Sequence, residues 1–135
     1  MAAVRDLDQM LGQMLPVLRS GRYVFTTPTG ALPPTVLPVM TFSEDEGTTA
    51  ILTQQEADEL NLAYDVVLAW ITLRVHSALD AVGLTATVSA ALTNAGISCN
   101  VVAAAFHDHL FVPAESADHA VEVLQVLAHS RTAPL

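Results

Sequence analysis

A run of histidine and aspartate near the C-terminal end carries residue types that could bind a metal ion. His107, Asp108 and His109 are consecutive, and alternation places the two imidazoles on one face if the following strand begins as early as His107. Two imidazoles with a carboxylate could bind zinc, but a further ligand would have to come from His76 or Cys99, whose spacing gives no support. A hairpin connection, with Asp108 as a turn residue between polar histidines, explains the same run equally well.

The segment from His76 to Leu84 has the chemistry of an anion site. It precedes a predicted helix, whose first turn offers unpaired N–H groups and a positive dipole end suited to a carboxylate. Gly83 lacks a Cβ and allows close approach of the backbone. Asp80 could accept from a ligand ammonium, and Asn100 could bridge an amino and a carboxylate group. The alternative is structural: Gly83 serves the turn, Asp80 is solvated, and Asn100 bonds a neighbouring backbone group.

Nucleophilic catalysis has little support in the sequence. Cys99 is the single cysteine, which excludes an intrachain disulfide. Its position between Ile97 and Val101, on the apolar side of a predicted strand, indicates an inert, packed thiol. No phosphate-binding loop, dinucleotide fingerprint, zinc-protease motif or serine-hydrolase elbow occurs. The sequence therefore predicts no enzyme and no cofactor.

The composition is that of a folded, acidic protein. Of 135 residues, 52% are hydrophobic and 14% are charged, which excludes intrinsic disorder. Five arginines, no lysine and 14 acidic residues give a net charge of −9, so nucleic acid and anionic membrane surfaces are not expected partners. No membrane span and no signal peptide is predicted, which favours the cytoplasm. The apolar excess favours a homodimer or a higher homo-oligomer.

The elements that must position these residues follow from periodicity. After Trp70 the pattern predicts the order β-α-β-β-α, which is the ferredoxin-like α+β arrangement with an antiparallel sheet and helices on one face. The predicted elements are strands over 71–75, 97–105 and 110–112 and helices over 84–95 and 117–129. In the first half, the pattern predicts a helix over 6–19 that Pro16 kinks or ends. Strands are predicted over 23–25, 39–42 and 48–52, with a proline-rich loop over 28–38 and an acidic turn over 43–47. A short helix then begins at a Thr53–Glu56 capping box.

The second half contains the stretches Ile71–Ser77, Ala81–Thr85, Leu92–Val101 and His107–Pro113. These four stretches resemble the ACT-domain family. More narrowly, the chain is similar to small bacterial proteins built from two ACT-like units. The resemblance implies βαββαβ topology and a regulatory module that binds amino acids or similar small ligands at interfaces between paired units.

The resemblance implies two merged ACT-like units, at 1–68 and 69–135. Only residues 130–135, including Pro134, follow the last helix, so the second unit lacks its final strand and we expect it to borrow one from the first half. The implied function is non-catalytic amino-acid binding. A small metal-binding protein or metal-dependent enzyme using His107 and His109 remains an alternative, as does a pure protein-interaction module. The predicted ligand contacts are His76, Asp80, Val82, Gly83, Leu84, Ser98 and Asn100.

Overall fold

A computed structural model describes residues 3–132 and divides the chain into two compact units. One joins the segment that ends at Ser20 to the segment that begins at Ala69, and the other is Gly21–Leu68. The assignment of ACT-like units to 1–68 and 69–135 stays a prediction. The elements are α1 (Leu7–Gln13), β1 (Pro16–Leu18), β2 (Tyr23–Thr26), β3 (Met40–Glu44), β4 (Gly47–Thr53), α2 (Gln54–Glu59), β5 (Leu68–Leu73), α3 (Leu84–Asn94), β6 (Asn100–Ala103), β7 (Asp108–Pro113), a 3-10 turn (Ala114–Ser116) and α4 (Ala117–Thr132).

The discontinuous unit has the predicted β-α-β-β-α order. Its strands lie in the order β1-β5-β7-β6. Strands β6 and β7 form an antiparallel hairpin, and β1 runs antiparallel to β5 with Val17 opposite Thr72. The N-terminal segment thus supplies an edge strand beside β5, where the last strand of a βαββαβ unit would lie. The tail that contains Pro134 is outside the described residues.

The N-terminal helix is shorter than the prediction of 6–19, which is wrong at its C-terminal end. Helix α1 begins after Asp6, whose carboxylate accepts from the Gln9 N–H at 2.9 Å, and it ends at Gln13. The reason is Pro16, because proline excludes the helical conformation from the preceding residue and cannot donate to a helix. Met14 is already extended at φ −65° and ψ 124°, so the chain enters β1 directly.

Three helices cover one face of this sheet. Alternate residues of β5 and β7 turn inward, and the buried positions of α1, α3 and α4 meet them in a single apolar cluster. The 3.6-residue period of the helices and the two-residue period of the strands select these positions. Cluster members that are fully buried include Met10, Leu11, Ile71, Val88, Leu92, Leu110, Val112 and Leu124.

Both strands of the hairpin differ from their predicted bounds. Strand β6 begins at Asn100 rather than 97, because Gly96 at φ 74° ends α3 and the Ile97 N–H donates to the Leu92 carbonyl at 2.9 Å. This hydrogen bond belongs to the helix terminus and delays the strand. Strand β7 begins at Asp108 rather than 110, so Asp108 is a strand residue and its interpretation as a turn residue is wrong.

The Gly21–Leu68 unit contains β2, β3, β4 and α2, with its strands in the order β3-β4-β2. Strands β3 and β4 meet at the acidic turn, where Glu44 lies opposite Gly47. The predicted capping box is confirmed: the Thr53 hydroxyl accepts from the Glu56 N–H, and the Glu56 carboxylate accepts from the Thr53 N–H. None of the helices in the described part of the chain is long and apolar enough to cross a membrane.

Candidate functional site

A small cavity lies between the β5–α3 turn and the β6–β7 hairpin. Its volume is about 120 Å³, and it is lined by the turn, the first residues of α3, the end of β6 and the beginning of β7. This is well below the ~300 Å³ at which pockets for drug-sized ligands begin. The lining residues that carry polar groups or lie at the helix terminus are Ser77, Gly83, Leu84, Thr85 and Asp108.

One wall of the cavity is the N-terminus of α3, which no side chain caps. The first N–H groups of a helix have no partner within the helix and carry the positive end of its dipole. The N-cap residue is Gly83, at φ 105°. A Cβ at Gly83 would lie 3.1 Å from a methyl carbon of Leu7, so both the backbone conformation and the packing against α1 favour glycine here.

The opposite wall carries Asp108, which is only 8% exposed. It alternates in phase with Leu110 and Val112, so it lies on the face of β7 that the helices cover. Among the described residues, no hydrogen bond or ion pair reaches its carboxylate. Burial raises the pKa of the Asp108 carboxyl, and the neighbouring His107 offsets part of that rise.

These two walls give the cavity opposite electrostatic ends. Helix N–H groups attract a carboxylate, and a desolvated aspartate attracts an ammonium group. A small zwitterion could therefore satisfy both walls at once. The ligand contacts predicted from the sequence include neither Asp108 nor Ser77, and the sequence-based interpretation of Asp108 is only as a metal ligand or a turn residue. Extending the alternation of Leu110 and Val112 back by one step would have placed Asp108 on the inner face of the strand.

Two family models for the ACT domain match this chain, over residues 2–69 and 66–126. The chain belongs to the ACT-domain family. ACT domains are regulatory and non-catalytic modules that typically bind small molecules and often oligomerise, so the chain is a member of a regulatory, ligand-binding class. A comparison with curated proteins gave no match.

Solved structures support the ACT-like, ferredoxin-type fold of the chain. A Vibrio cholerae protein of unknown function, described as a possible transport protein, is 42% identical, with a TM-score of 0.81, and the match covers 90% of this chain and 95% of that one. An Agrobacterium tumefaciens protein is 18% identical over 86% and 90% of the two chains, with a TM-score of 0.66. The ligand-free regulatory subunit of aspartate kinase from Thermus thermophilus is 10% identical over 83% and 95%, with a TM-score of 0.62.

The structure brings only part of the predicted ligand set of this ACT-family protein to the cavity. Gly83 and Leu84 line it. Val82 does not, and its side chain is 83% exposed. Asp80 also lies outside the lining and pairs with Arg5, whose Nε donates to Oδ1 at 3.2 Å between two exposed side chains.

The remaining predicted contacts also lie outside this cavity. Ser98 is exposed before β6. Asn100 donates from Nδ2 to the Phe111 carbonyl at 3.2 Å across the hairpin, which is the structural alternative that the sequence left open. The ring of His76 lies 5.8 Å from that of Phe106 and lines a different cavity. The ligand roles of these residues stay predictions.

The two histidines considered for zinc are not arranged as a metal site, and His107 lies outside β7. Their ring centroids are 6.5 Å apart, and the described residues contain no group of three or more His, Cys, Asp or Glu side chains that could hold a metal ion. His109 Nδ1 already accepts from Trp70 Nε1 at 3.0 Å, which leaves that nitrogen unavailable to a metal.

His109 instead belongs to a polar network on the face of the sheet opposite the helices. Its Nδ1 lies 3.1 Å from Thr72 Oγ1, which accepts from Arg19 Nε at 3.0 Å. The Arg19 guanidinium lies 4.8 Å from the centre of the Trp70 ring. Because Trp70 donates to Nδ1, the neutral ring carries its proton on Nε2. Burial, followed by the charges of His107 and Arg19, lowers the pKa of His109.

We expect this network to make stability depend on pH through His109. As the pH falls below about 6.5, the unfolded histidine gains a proton that the folded one resists, so the free energy of unfolding decreases. In His109→Asn, an amide oxygen can replace the Nδ1 acceptor without titrating. Urea unfolding between pH 7 and pH 5 should show a smaller loss in this variant. The control is His119→Asn, at an exposed position on α4, which should lose as much stability between pH 7 and pH 5 as the wild type. An equal loss in His109→Asn would contradict the role given to His109.

Cys99 should be chemically inert in the folded protein. Burial raises the pKa of its thiol from 9.0 to about 11, so the thiolate fraction at neutral pH is about 100-fold lower than that of an ordinary cysteine. Labelling with iodoacetamide at pH 7.5 should therefore be slower in the native state than in denaturant, by roughly 10- to 100-fold. A native labelling rate close to the denatured rate would show that Cys99 is exposed and reactive.

The Gly21–Leu68 unit has a cavity of its own with different chemistry. Its volume is about 830 Å³, and it is bordered by residues of the proline-rich loop and of the acidic turn. Glu46 is the one charged residue among those that line it. The cavity is larger than the one beside α3, but it does not combine an ionisable buried group with a helix terminus. The smaller cavity is therefore the better candidate for specific binding.

Proposed function

We propose that this ACT-family protein is a non-catalytic regulatory module that binds a small amino acid in the cavity between the β5–α3 turn and β7. The proposal depends above all on Asp108. Asp108 is only 8% exposed as a residue, its carboxylate has no hydrogen-bond partner among the described residues, and it lines a cavity whose other wall is an uncapped helix N-terminus. A ligand ammonium would pair with Asp108, and the ligand carboxylate would accept from the first N–H groups of α3.

The volume of the cavity restricts the ligand. About 120 Å³ accommodates roughly four water molecules at ~30 Å³ each. An amino acid with a short side chain fits that space most closely. Glycine, alanine and serine are therefore the expected ligands, with larger amino acids disfavoured by size.

Calorimetric titration of the protein with all twenty amino acids tests the proposal. We expect one or more of the smallest to bind with a stoichiometry of one per chain. Matched analogues locate the recognition: for alanine, propionate lacks the ammonium and ethylamine lacks the carboxylate, and each should bind at least ~10-fold more weakly. Failure of every amino acid to bind a folded sample would refute the proposal.

We also propose that the protein acts as a homodimer or a higher homo-oligomer in the cytoplasm. Two large apolar side chains in the β5–α3 turn support the oligomer, because Leu79 is 73% exposed and Val82 is 83% exposed. Contact with a second chain would remove this apolar surface from water. Light scattering should give at least twice the mass of one chain, and Val82→Asp should lower it. A wild-type mass of 14.3 kDa at micromolar concentration would contradict the proposal.

A further inference from the structure

A second cavity in the same unit gathers hydrogen-bond donors instead of acids. Its volume is about 390 Å³, which is within the ~300–1,000 Å³ range typical of small-molecule sites. It lies where β5 ends, beside the tip of the β6–β7 hairpin and the N-terminal segment. The donor residues among those that line it are Gln13, Arg74, His76 and His107, and none of the described lining residues is acidic.

Arg74 supplies a guanidinium group that no carboxylate in the described part of the chain neutralises. The two ion pairs found there use Arg5 and Arg131, and Arg19 is engaged with Thr72 and Trp70. The chain has 14 acidic residues and only five arginines, so an arginine without a carboxylate partner is unexpected. The backbone N–H of Arg74 donates to the Leu15 carbonyl at 2.8 Å. This hydrogen bond fixes the position of the Arg74 backbone at the edge of the cavity.

His107 provides a second, independent indication of a ligand. Its Nδ1 is buried and has no hydrogen-bond partner within the described residues. A buried polar atom without a partner is unfavourable, and natural proteins satisfy most such atoms. Because His107 lines the same cavity as Arg74, one anionic ligand could accept from both groups. In its Nδ1–H tautomer the ring donates to an oxygen of that anion.

The apolar part of the lining indicates that the anion is organic. Phe106, at the hairpin tip, is 70% exposed, and its ring lies 5.8 Å from the ring of His76. Val4 and Val75 line the cavity as well. The N-terminal segment is fixed at this point, since the Val4 N–H donates to the His76 carbonyl at 2.8 Å and the Ala78 N–H donates to the Val4 carbonyl at 2.9 Å.

We propose that this cavity binds an organic monocarboxylate, with the carboxylate on Arg74 and His107 and the apolar part against Phe106. An amino acid is disfavoured here because its ammonium would approach Arg74 without an acidic partner. The site is therefore distinct in chemistry from the amino-acid site, and it does not depend on that proposal.

Calorimetric titration of the protein with benzoate at pH 7 tests this site. Benzyl alcohol retains the ring but not the charge, and inorganic phosphate retains the charge but not the ring. Benzoate should bind saturably and at least tenfold more tightly than either. Arg74→Gln should weaken benzoate tenfold or more, whereas Arg22→Gln, at another exposed arginine, should leave it unchanged. Phe106→Ala should weaken benzoate severalfold, and the ¹⁵N resonance of His107 Nδ1 should shift on binding.

Three results would overturn the proposal. The first is absence of saturable benzoate binding to the folded wild-type protein. The second is equal affinity in the Arg74 and Arg22 variants, which would place the anion elsewhere. The third is phosphate binding as tight as that of benzoate, which would remove the role assigned to Phe106.

Discussion

Replacing Asp108 by asparagine should reduce the affinity for the amino-acid ligand by about 30-fold or more, because removing one member of a buried charge pair costs roughly 2 kcal/mol at the least. The side chain keeps its size and its place on β7, so the loss reflects the missing charge. Calorimetry on the wild type and on Asp108→Asn, with the same ligand at pH 7, measures the change directly.

Asp80→Asn is the matched control for this experiment. Asp80 lies in the β5–α3 turn, and the sequence alone makes it the acceptor for a ligand ammonium. In the structure it is exposed and paired with Arg5, so its replacement should change the affinity less than ~2-fold. The reverse outcome, with binding lost in Asp80→Asn and retained in Asp108→Asn, would move the ammonium site to the turn.

The same Asp108 variant should not lose stability in the absence of ligand. In the wild-type protein the pKa of the Asp108 carboxyl is raised in the folded state. Above about pH 3.9, the ordinary pKa of an aspartate, the unfolded chain therefore loses this proton more readily than the folded chain does. The free energy of unfolding therefore falls as the pH rises through the folded pKa, and an amide removes this dependence. Asp108→Asn should unfold at an equal or higher temperature than wild type at pH 7. Stability that is given up at a binding group is a recognised feature of functional sites.

Leu11→Ala should lower the free energy of unfolding by about 2–5 kcal/mol, the range for fully buried leucines in well-packed cores. Leu11 lies on α1 and is completely buried in the cluster formed with β5, β7, α3 and α4. A domain of this size has only ~5–15 kcal/mol in total, so the variant should unfold at a much lower urea concentration. Urea unfolding followed by circular dichroism measures the difference.

Leu15→Ala provides the control, since it removes the same atoms from the same segment. Leu15 is 56% exposed, and its structural role is its backbone carbonyl, which accepts from the Arg74 N–H. This substitution should change the free energy of unfolding by no more than ~0.5 kcal/mol. Similar losses in the two variants would contradict the view that α1 is part of the core of the discontinuous unit.

Local patterns were sufficient to predict most elements of the fold. The alternation of Ile71 and Leu73 and the helical spacing of Leu84, Val88 and Leu92 both appear in the structure as expected. The failures occurred where two signals conflicted. Apolar spacing continued past Gln13, but Pro16 ended the helix and allowed the next residues to pair with β5.

The candidate site was harder to predict, because tertiary packing creates it. Glycine at position 83 and the following helix were visible in the sequence, but the cavity also requires β7 to present Asp108 toward α3. That orientation follows from a strand that starts two residues earlier than its apolar residues indicate. Leu7, which packs against Gly83, is distant in sequence, so local spacing could not show the contact.

Chemical-shift mapping with a small amino acid that binds is the most direct test of the proposed function. In ¹⁵N- and ¹³C-labelled protein, we expect the largest changes at the backbone amides of Gly83, Leu84 and Thr85 and at the carboxyl carbon of Asp108. Asp80 should change little. Binding that leaves these four residues unchanged, and shifts resonances only at other places in the chain, would contradict an amino-acid site between the β5–α3 turn and β7.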